Sequence, residues 1–327
     1  MDLIGKRVLF ISPAFFEYPE MIKKEIEKQG AIIHWYDDRD DASSIEKIIL
    51  RCNRSILKKK YNEYYEKIIH KEMDFCPDYV LFVNPEAVTK ESLSMMKKNF
   101  NKCKFVLYMW DSIENKKILE IVDLFDKVFS FDKNDCKKYG FIFRPLFYSK
   151  IGVNKENLYK YDVGFIGTVH SDRALILKKI KDYCDENDLT YYFYLYVPSK
   201  LLLFLRLLTD RNLRLWKKQY VHTIPIDGDI FLAISRETRC TIDINHPKQT
   251  GLTMRTIELL GLKRKIITTN KNIEQYDFYR PENQIIVDRK NIQIDKKMLL
   301  SDYVDIDENI QANYSISTWV KDILCDF

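Results

Sequence analysis

Arg255 and Glu258 stand one helical turn apart in Gly251-Leu-Thr-Met-Arg-Thr-Ile-Glu258, a guanidinium and a carboxylate on one face of a predicted helix. The polar turn His246-Pro-Lys-Gln-Thr250 comes first. Read as beginning at Gly251, the helix offers its first amides and the positive end of its dipole to an anion. Arg255 can grip a pair of phosphate oxygens, and Glu258 can accept hydrogen bonds from two vicinal ribose hydroxyls. Phosphate first and ribose second is the order in which a nucleoside diphosphate would lie along the helix. The same two residues can equally form an exposed i,i+3 pair worth only about 0.2–0.5 kcal/mol. A second anion candidate lies in Asp162-Val-Gly-Phe-Ile-Gly-Thr-Val-His-Ser-Asp-Arg173. There Gly167 and Thr168 permit close backbone approach, and Arg173 falls in the first turn of a helix that runs to about Glu186. The alternative is an ordinary βα turn capped by Ser171 or Asp172. His246 can donate to a phosphate or a leaving group, or simply fill the turn before Pro247.

In the first half, Asp111 directly follows an apolar run, where a carboxylate can act as general base toward an acceptor hydroxyl or cap the next helix. Asp37, Asp38 and Arg39 read as a solvated turn more readily than as a hydroxyl-binding group. The runs that would position these residues are Val8–Ser12, Ile32–Tyr36, Tyr79–Val83, Phe105–Met109 and Val128–Phe131, separated by Lys/Glu-rich amphipathic segments such as 19–29 and 89–99. Strands alternating with helices imply a parallel, doubly wound sheet with its ligand crevice beyond the carboxyl ends of the strands. The residues after each run, including Ser12 to Phe16, Asn84 to Glu86 and Trp110 to Ser112, are therefore the ones to examine. No GxGxxG follows the first strand, which removes the main support for a dehydrogenase.

The alternation resumes after residue 160, with expected strands at 191–196, 241–244, 265–268 and 285–287. The expected division is a first domain at 1–148, a linker at 149–160, a second domain at 161–312 and a terminal segment at 313–327. With 327 residues, 46% of them hydrophobic, the chain is long enough for two cores. The seven cysteines (52, 76, 103, 136, 184, 240 and 325) show no CxxC or CxxH spacing, which favours a reducing compartment and argues against zinc. The aliphatic-rich run Leu201 to Leu205 is far too short to span a bilayer. Six basic residues and one acid give Lys200 to Lys218 a local charge of +5. Leu201, Leu205, Leu208, Leu215 and Trp216 can share a helical stripe there, as on a helix lying on an anionic membrane or on one packed against the protein's own core. Nucleic-acid binding finds no recognised module.

The combination of Lys6-Arg-Val-Leu-Phe-Ile-Ser-Pro-Ala-Phe-Phe16, Tyr108-Met-Trp-Asp-Ser112, Phe129-Ser-Phe-Asp132, Arg144-Pro-Leu-Phe-Tyr148, Gly164-Phe-Ile-Gly-Thr168 and Gly251 to Glu258 resembles bacterial surface-polysaccharide glycosyltransferases of the GT-B fold, of the CgeB-like and lipopolysaccharide-core type. The resemblance spans most of the chain and is strongest at Gly251, Leu252, Thr253, Arg255, Thr256 and Glu258. It implies two Rossmann-like domains facing an interdomain cleft, an acceptor glycan on the first, a nucleotide sugar on the second, and a terminal helix packed back on the first. Expected donor contacts are Gly167, Thr168, His170, Arg173, His246, Gln249, Thr250, Gly251, Leu252, Thr253, Arg255 and Glu258. Expected acceptor contacts are Ser12, Phe15, Phe16, Trp110 and Ser112, with Asp111 as the candidate base. No metal or other cofactor is expected, because arginine and helix dipole can neutralise a leaving diphosphate and Asp227-Gly-Asp229 reads as a turn. The expected partners are a nucleotide-sugar donor, a lipid-linked lipopolysaccharide-core, O-antigen or capsular glycan, and an anionic membrane surface. The expected location is cytoplasmic, at the inner face of the cytoplasmic membrane. Rival readings on the same scaffold are a non-catalytic nucleotide- or glycan-binding protein, a nucleotide-sugar epimerase and a polyol-phosphate transferase.

Overall fold

The structure, a computed structural model, describes residues 3–39, 42–43, 46, 49–50, 54–116, 118–149, 159–247 and 249–325. It forms two compact units, one of residues 1–146 and 315–327 and one of residues 147–314.

In the first unit, β1 (Arg7–Ser12), α1 (Tyr18–Lys28), β2 (Ile32–Asp37), α2 (Lys58–Glu72), β3 (Tyr79–Val83), α3 (Lys90–Asn99) and β4 (Lys104–Met109) follow one another along the chain. After them come the short helices α4 (Ile113–Lys116) and α5 (Leu119–Val122), then β5 (Lys127–Ser130), α6 (Lys133–Tyr139) and β6 (Ile142–Phe143). The strands form one parallel sheet in the order β2-β1-β3-β4-β5-β6. Every residue of β3 is buried, which is why Tyr79–Val83 reads as an unbroken apolar run rather than an alternating one. Helix boundaries follow local chemistry. Thr89 and Ser92 form a capping box at the start of α3. Asp132 caps α6, and Gly140, at φ 73°, ends it in the left-handed conformation that costs glycine little.

The second unit contains β7 (Tyr161–Thr168), α7 (Arg173–Glu186), β8 (Tyr191–Tyr196), α8 (Lys200–Thr209), β9 (Val221–His222), α9 (Gly228–Glu237), β10 (Thr238–Asp243), α10 (Met254–Gly261), β11 (Lys265–Thr268), β12 (Gln284–Ile286), α11 (Lys296–Leu300) and α12 (Glu308–Ala312). Its sheet is also parallel, in the order β12-β11-β10-β7-β8-β9. Strand order therefore reverses between β7 and β10, and in the first unit between β1 and β3. In doubly wound sheets ligands bind at these reversals.

The last helix, α13 (Ile316–Leu324), belongs to the first unit. Its Trp319 is fully buried edge-on against Tyr108, with ring centroids 4.7 Å apart. Gln29 Nε2 donates to the Ser317 carbonyl at 3.0 Å, and Arg144 Nε lies 2.7 Å from Asp322.

The two parallel α/β halves match the expectation from sequence, but several details differ. The helix after the 246–250 turn starts at Met254 rather than Gly251, because Thr253 is its N-cap and accepts from the Thr256 amide. Lys200 to Lys218 is not one helix. The helix stops at Thr209, and Trp216 is buried, donating from Nε1 to the Ala174 carbonyl at 3.0 Å, so it does not share the exposed stripe. Asp227-Gly-Asp229 is a helix start, with Asp227 capping α9. The two-residue strands β6 and β9 carry too little pattern to be read from sequence. Residues 150–158 of the expected linker, Asp40, Cys52 and Lys248 lie outside the described residues.

Candidate functional site

At the β7/β10 reversal the sequence builds a dense basic site. Asp243, the buried last residue of β10, accepts from the hydroxyls of Thr253 at 2.7 Å and Thr256 at 2.8 Å, so one carboxylate oxygen anchors the start of α10 to the end of the strand. The loop between them is held by asparagines. Asn245 donates to the Gln249 carbonyl at 2.8 Å, and Asn270 donates to the carbonyls of Thr250 and Gly251, both at 3.2 Å. Gly251 and Leu252 are buried within this loop. Their side of the expected donor set thus shapes the loop, while His246 is exposed and Gln249, Thr250 and Thr253 are half-buried.

Three arginines converge on this corner. Arg255, in the first turn of α10, donates from Nη2 to the Ile166 carbonyl and packs over the rings of Phe165 and Phe231. Gly167 packs closely beneath it: a Cβ at that position would sit 3.1 Å from Arg255 Nη2, a tight contact that a small shift of the guanidinium would have to relieve. The buried Nε of Arg255 has no hydrogen-bond partner among the described residues, an orphaned donor of the kind that buried sites normally satisfy. Arg173 donates to the Ile244 carbonyl at 2.8 Å and the Thr168 carbonyl at 2.9 Å, tying the loops after β7 and β10 together. Burial lowers its guanidinium to about 10, with Asp243 opposing and the charges of Arg255 and Arg289 adding to the shift. The third arginine, Arg289, follows β12. Its Nη1 meets both oxygens of Asp172, at 2.8 and 2.9 Å, and its Nη2 reaches Asn245 Oδ1 at 2.8 Å. Asp172 occupies the N-cap position of α7, yet its side chain makes no capping bond because Arg289 holds it.

His170 and His246 face each other with ring centroids 6.0 Å apart. Burial, then the charges of Arg173, His246 and Arg206, push His170 down to about 4. The ring is therefore neutral at pH 7. Since the folded value lies below that of the unfolded chain, the unfolded state takes up the proton first as pH falls. The His170 contribution is fully present above the ordinary value of 6.5 and is lost as pH falls toward about 4. Thermal melts over that window should show His170→Gln losing less stability than the parent; parallel curves would assign the acid limit to other groups.

The first unit gathers the expected acceptor residues less completely. Phe15 and Trp110 approach to 6.4 Å between ring centroids, Tyr18 and Trp110 to 6.1 Å, and Phe15 and Phe16 to 4.5 Å, forming an aromatic patch beyond β1 and β4. Phe15 and Phe16 are exposed. Ser12 is fully buried and its hydroxyl accepts from Trp35 Nε1 at 3.1 Å, so it supports β2 and presents nothing to a ligand. Asp111 Oδ1 accepts from the Ser112 amide at 2.9 Å and from Asn115 at 3.0 Å, which binds both Asp111 and Ser112 into the turn ahead of α4. Asp111 Oδ2 lies 3.9 Å from Lys116 Nζ. Lys116 also pairs with Glu86, and Glu86 with Arg39 at 3.3 Å. Asp38, fully buried, accepts from Tyr65 and the amides of Glu86 and Ala87, so it fastens β2 to the β3 loop. Burial raises its carboxyl despite these bonds.

Sequence reasoning overlooked Asp243 and Arg289 as site-building residues, and it marked Glu86 only as part of a loop to examine. Asp243 carried a usable signal, a carboxylate ending a buried strand. Arg289 carried none, because Asp288-Arg-Lys-Asn291 reads as any polar turn.

No family model matches the chain, and no curated protein matches it. Several solved structures do resemble it. HepE of Anabaena in complex with UDP-glucose aligns over 98% of this chain and 100% of its own at 10% identity, with a TM-score of 0.61. A trehalose-6-phosphate protein of E. coli, OtsA, bound with UDP-2-fluoro glucose aligns over 98% of each chain at 10% identity and 0.58. The apo lipopolysaccharide outer core galactosyltransferase WaaB aligns over 96% of this chain and 97% of its own at 12% identity and 0.52. Together with two doubly wound parallel sheets, these likenesses show that the chain has the GT-B fold.

Proposed function

We propose that the chain is a glycosyltransferase that moves a sugar from a nucleoside diphosphate to a bacterial surface glycan, of the lipopolysaccharide-core, O-antigen or capsular kind, carried on lipid. The observation that carries the reading is the convergence of Arg173, Arg255 and Arg289 at the β7/β10 reversal, beside the start of α10. Three guanidinium groups, with Asp243 already held by Thr253 and Thr256 and Asp172 by Arg289, suit a diphosphate. Structures of the same fold hold UDP-sugars, which makes uracil the first base to test. In this reading Arg255 and Arg173 neutralise the leaving diphosphate, so no metal is needed and chelation leaves turnover unchanged. The aromatic patch of Phe15, Phe16 and Trp110 offers apolar faces to an acceptor sugar. Asp111 is the base if the anomeric centre inverts. The enzyme acts in the cytoplasm, peripherally at the inner face of the membrane.

The test is thermal shift and calorimetry with uridine, UDP and UDP-sugars, followed by product analysis with glycolipid acceptors. Glu258, half-buried one turn beyond Arg255, is assigned to ribose. Glu258→Gln should weaken UDP binding about 10-fold with an unchanged melting temperature. If the variant binds as tightly as the parent, the ribose assignment fails. Release of free sugar without transfer would favour a hydrolytic or epimerising enzyme on the same scaffold.

A further inference from the structure

Helix α8 presents an apolar stripe to solvent. Leu201, Phe204, Leu205 and Leu208 are exposed by 70%, 60%, 49% and 61%. They recur at i, i+3, i+4 and i+7, which places them on one side of a helix. Ser199 caps the start, accepting from the Leu202 amide at 3.1 Å. The opposite side is rooted in the second unit: Leu203 packs on its core, and Leu213 and Trp216 are buried just beyond the helix. Lys200, Arg211, Arg214, Lys217 and Lys218 are exposed along the same segment. Its one acid, Asp210, accepts from the amides of Asn212 and Leu213 at 2.9 and 3.2 Å. The only basic side chain of α8 that turns inward is Arg206, whose Nη1 donates to the Val169 carbonyl. That carbonyl lies between Thr168, bound by Arg173, and His170, whose pKa the Arg206 charge helps to lower.

We propose that α8 docks on an anionic lipid surface through Leu201, Phe204, Leu205 and Leu208, and that Arg206 transmits docking to the loop from Thr168 to His170, so that lipid and nucleotide strengthen each other's binding. The second clause rests on the donor reading above; the first does not. Charge selects the occupant. A second copy meeting this face across a two-fold axis would oppose its own five exposed cations to an identical set, whereas an anionic bilayer accepts the apolar stripe and the basic rim together. Coupling follows from contact: a ligand that fixes α8 also fixes the carbonyl beside the phosphate loop, and linkage makes the effect reciprocal.

Co-sedimentation of the full chain with vesicles of phosphatidylcholine and phosphatidylglycerol, and with phosphatidylcholine alone, tests docking. The parent should pellet with the mixed vesicles and much less with the neutral ones. Phe204→Ser should weaken that binding roughly 10-fold, and Leu201, Phe204, Leu205 and Leu208 changed together to Ser should abolish it. These side chains are exposed, so the variants should keep the parent melting temperature. Changing Lys200, Arg211, Arg214, Lys217 and Lys218 to Gln should remove the preference for anionic vesicles. Equal pelleting of parent and four-fold variant, or none by either, overturns docking, as does a dimer in ultracentrifugation that the four-fold variant dissolves. For coupling, UDP affinity should tighten at least about 5-fold when mixed vesicles are present, and Arg206→Gln should lose that gain while still pelleting. An unchanged affinity overturns the coupling. If UDP fails to bind with or without vesicles, the donor reading falls and the coupling with it, while sedimentation still decides docking.

Discussion

Arg255→Ala should weaken UDP binding roughly 100-fold while changing uridine binding only slightly. A hydrogen bond to a charged group is worth about 1.5–3 kcal/mol, and a guanidinium presents two in a fixed fork. The side chain is already placed for this role: its plane rests on Phe165 and Phe231, one nitrogen is held by the Ile166 carbonyl, and its buried Nε is unpartnered among the described residues. Arg255→Lys should recover little, because an ammonium keeps the charge but not the fork. Calorimetry with both ligands decides the matter. An equal loss for uridine and UDP would mean that Arg255 holds the end of β7 in shape and does not touch phosphate.

The second large effect concerns stability. Asp243→Ala removes the acceptor shared by the Thr253 and Thr256 hydroxyls in a buried place. Each hydroxyl left without a partner there costs about 1–3 kcal/mol. The sum, about 2–6 kcal/mol, should lower the thermal midpoint by roughly 4–24 °C and loosen α10, taking nucleotide affinity with it. Asp243→Asn keeps a carbonyl oxygen at the same spot and should lie between the two. If the alanine variant melts within about 1 °C of the parent, water or a shifted Asn245 has replaced the carboxylate and the anchoring role is minor.

How far the sequence announces this site depends on how far apart in the chain its parts lie. Gly167, Arg173 and Arg255 were legible because each sits next to a strong local pattern, a buried strand leading into a helix. The actual start of α10 was not legible, since Thr253 becomes the cap through a bond to Asp243, ten residues earlier. Arg289 reaches Asp172 across 117 positions of sequence, a separation at which no periodicity links the partners. The same holds for Glu86, which is held by Arg39 from the turn after β2 and by Lys116 at the end of α4. Trp216 looked like part of an exposed stripe because Leu215 beside it truly is exposed; the break of α8 at Thr209 turns the indole inward to Ala174. Alternating strands and helices, by contrast, rest on local periodicity, and both sheets followed from it except for their two-residue edge strands β6 and β9.

The placement of α13 sets the order in which a ribosome can finish the two units. Residues 147–314 form one unbroken stretch, while the first unit needs residues 315–327 to cover Tyr108 with Trp319 and to close Arg144 on Asp322. The half that leaves the ribosome first is therefore completed last, after the whole of the other half has been made. At about 5–20 residues per second the nascent first unit carries an open groove over β4 and α1 for roughly 10–30 s, long enough for a chaperone to bind it.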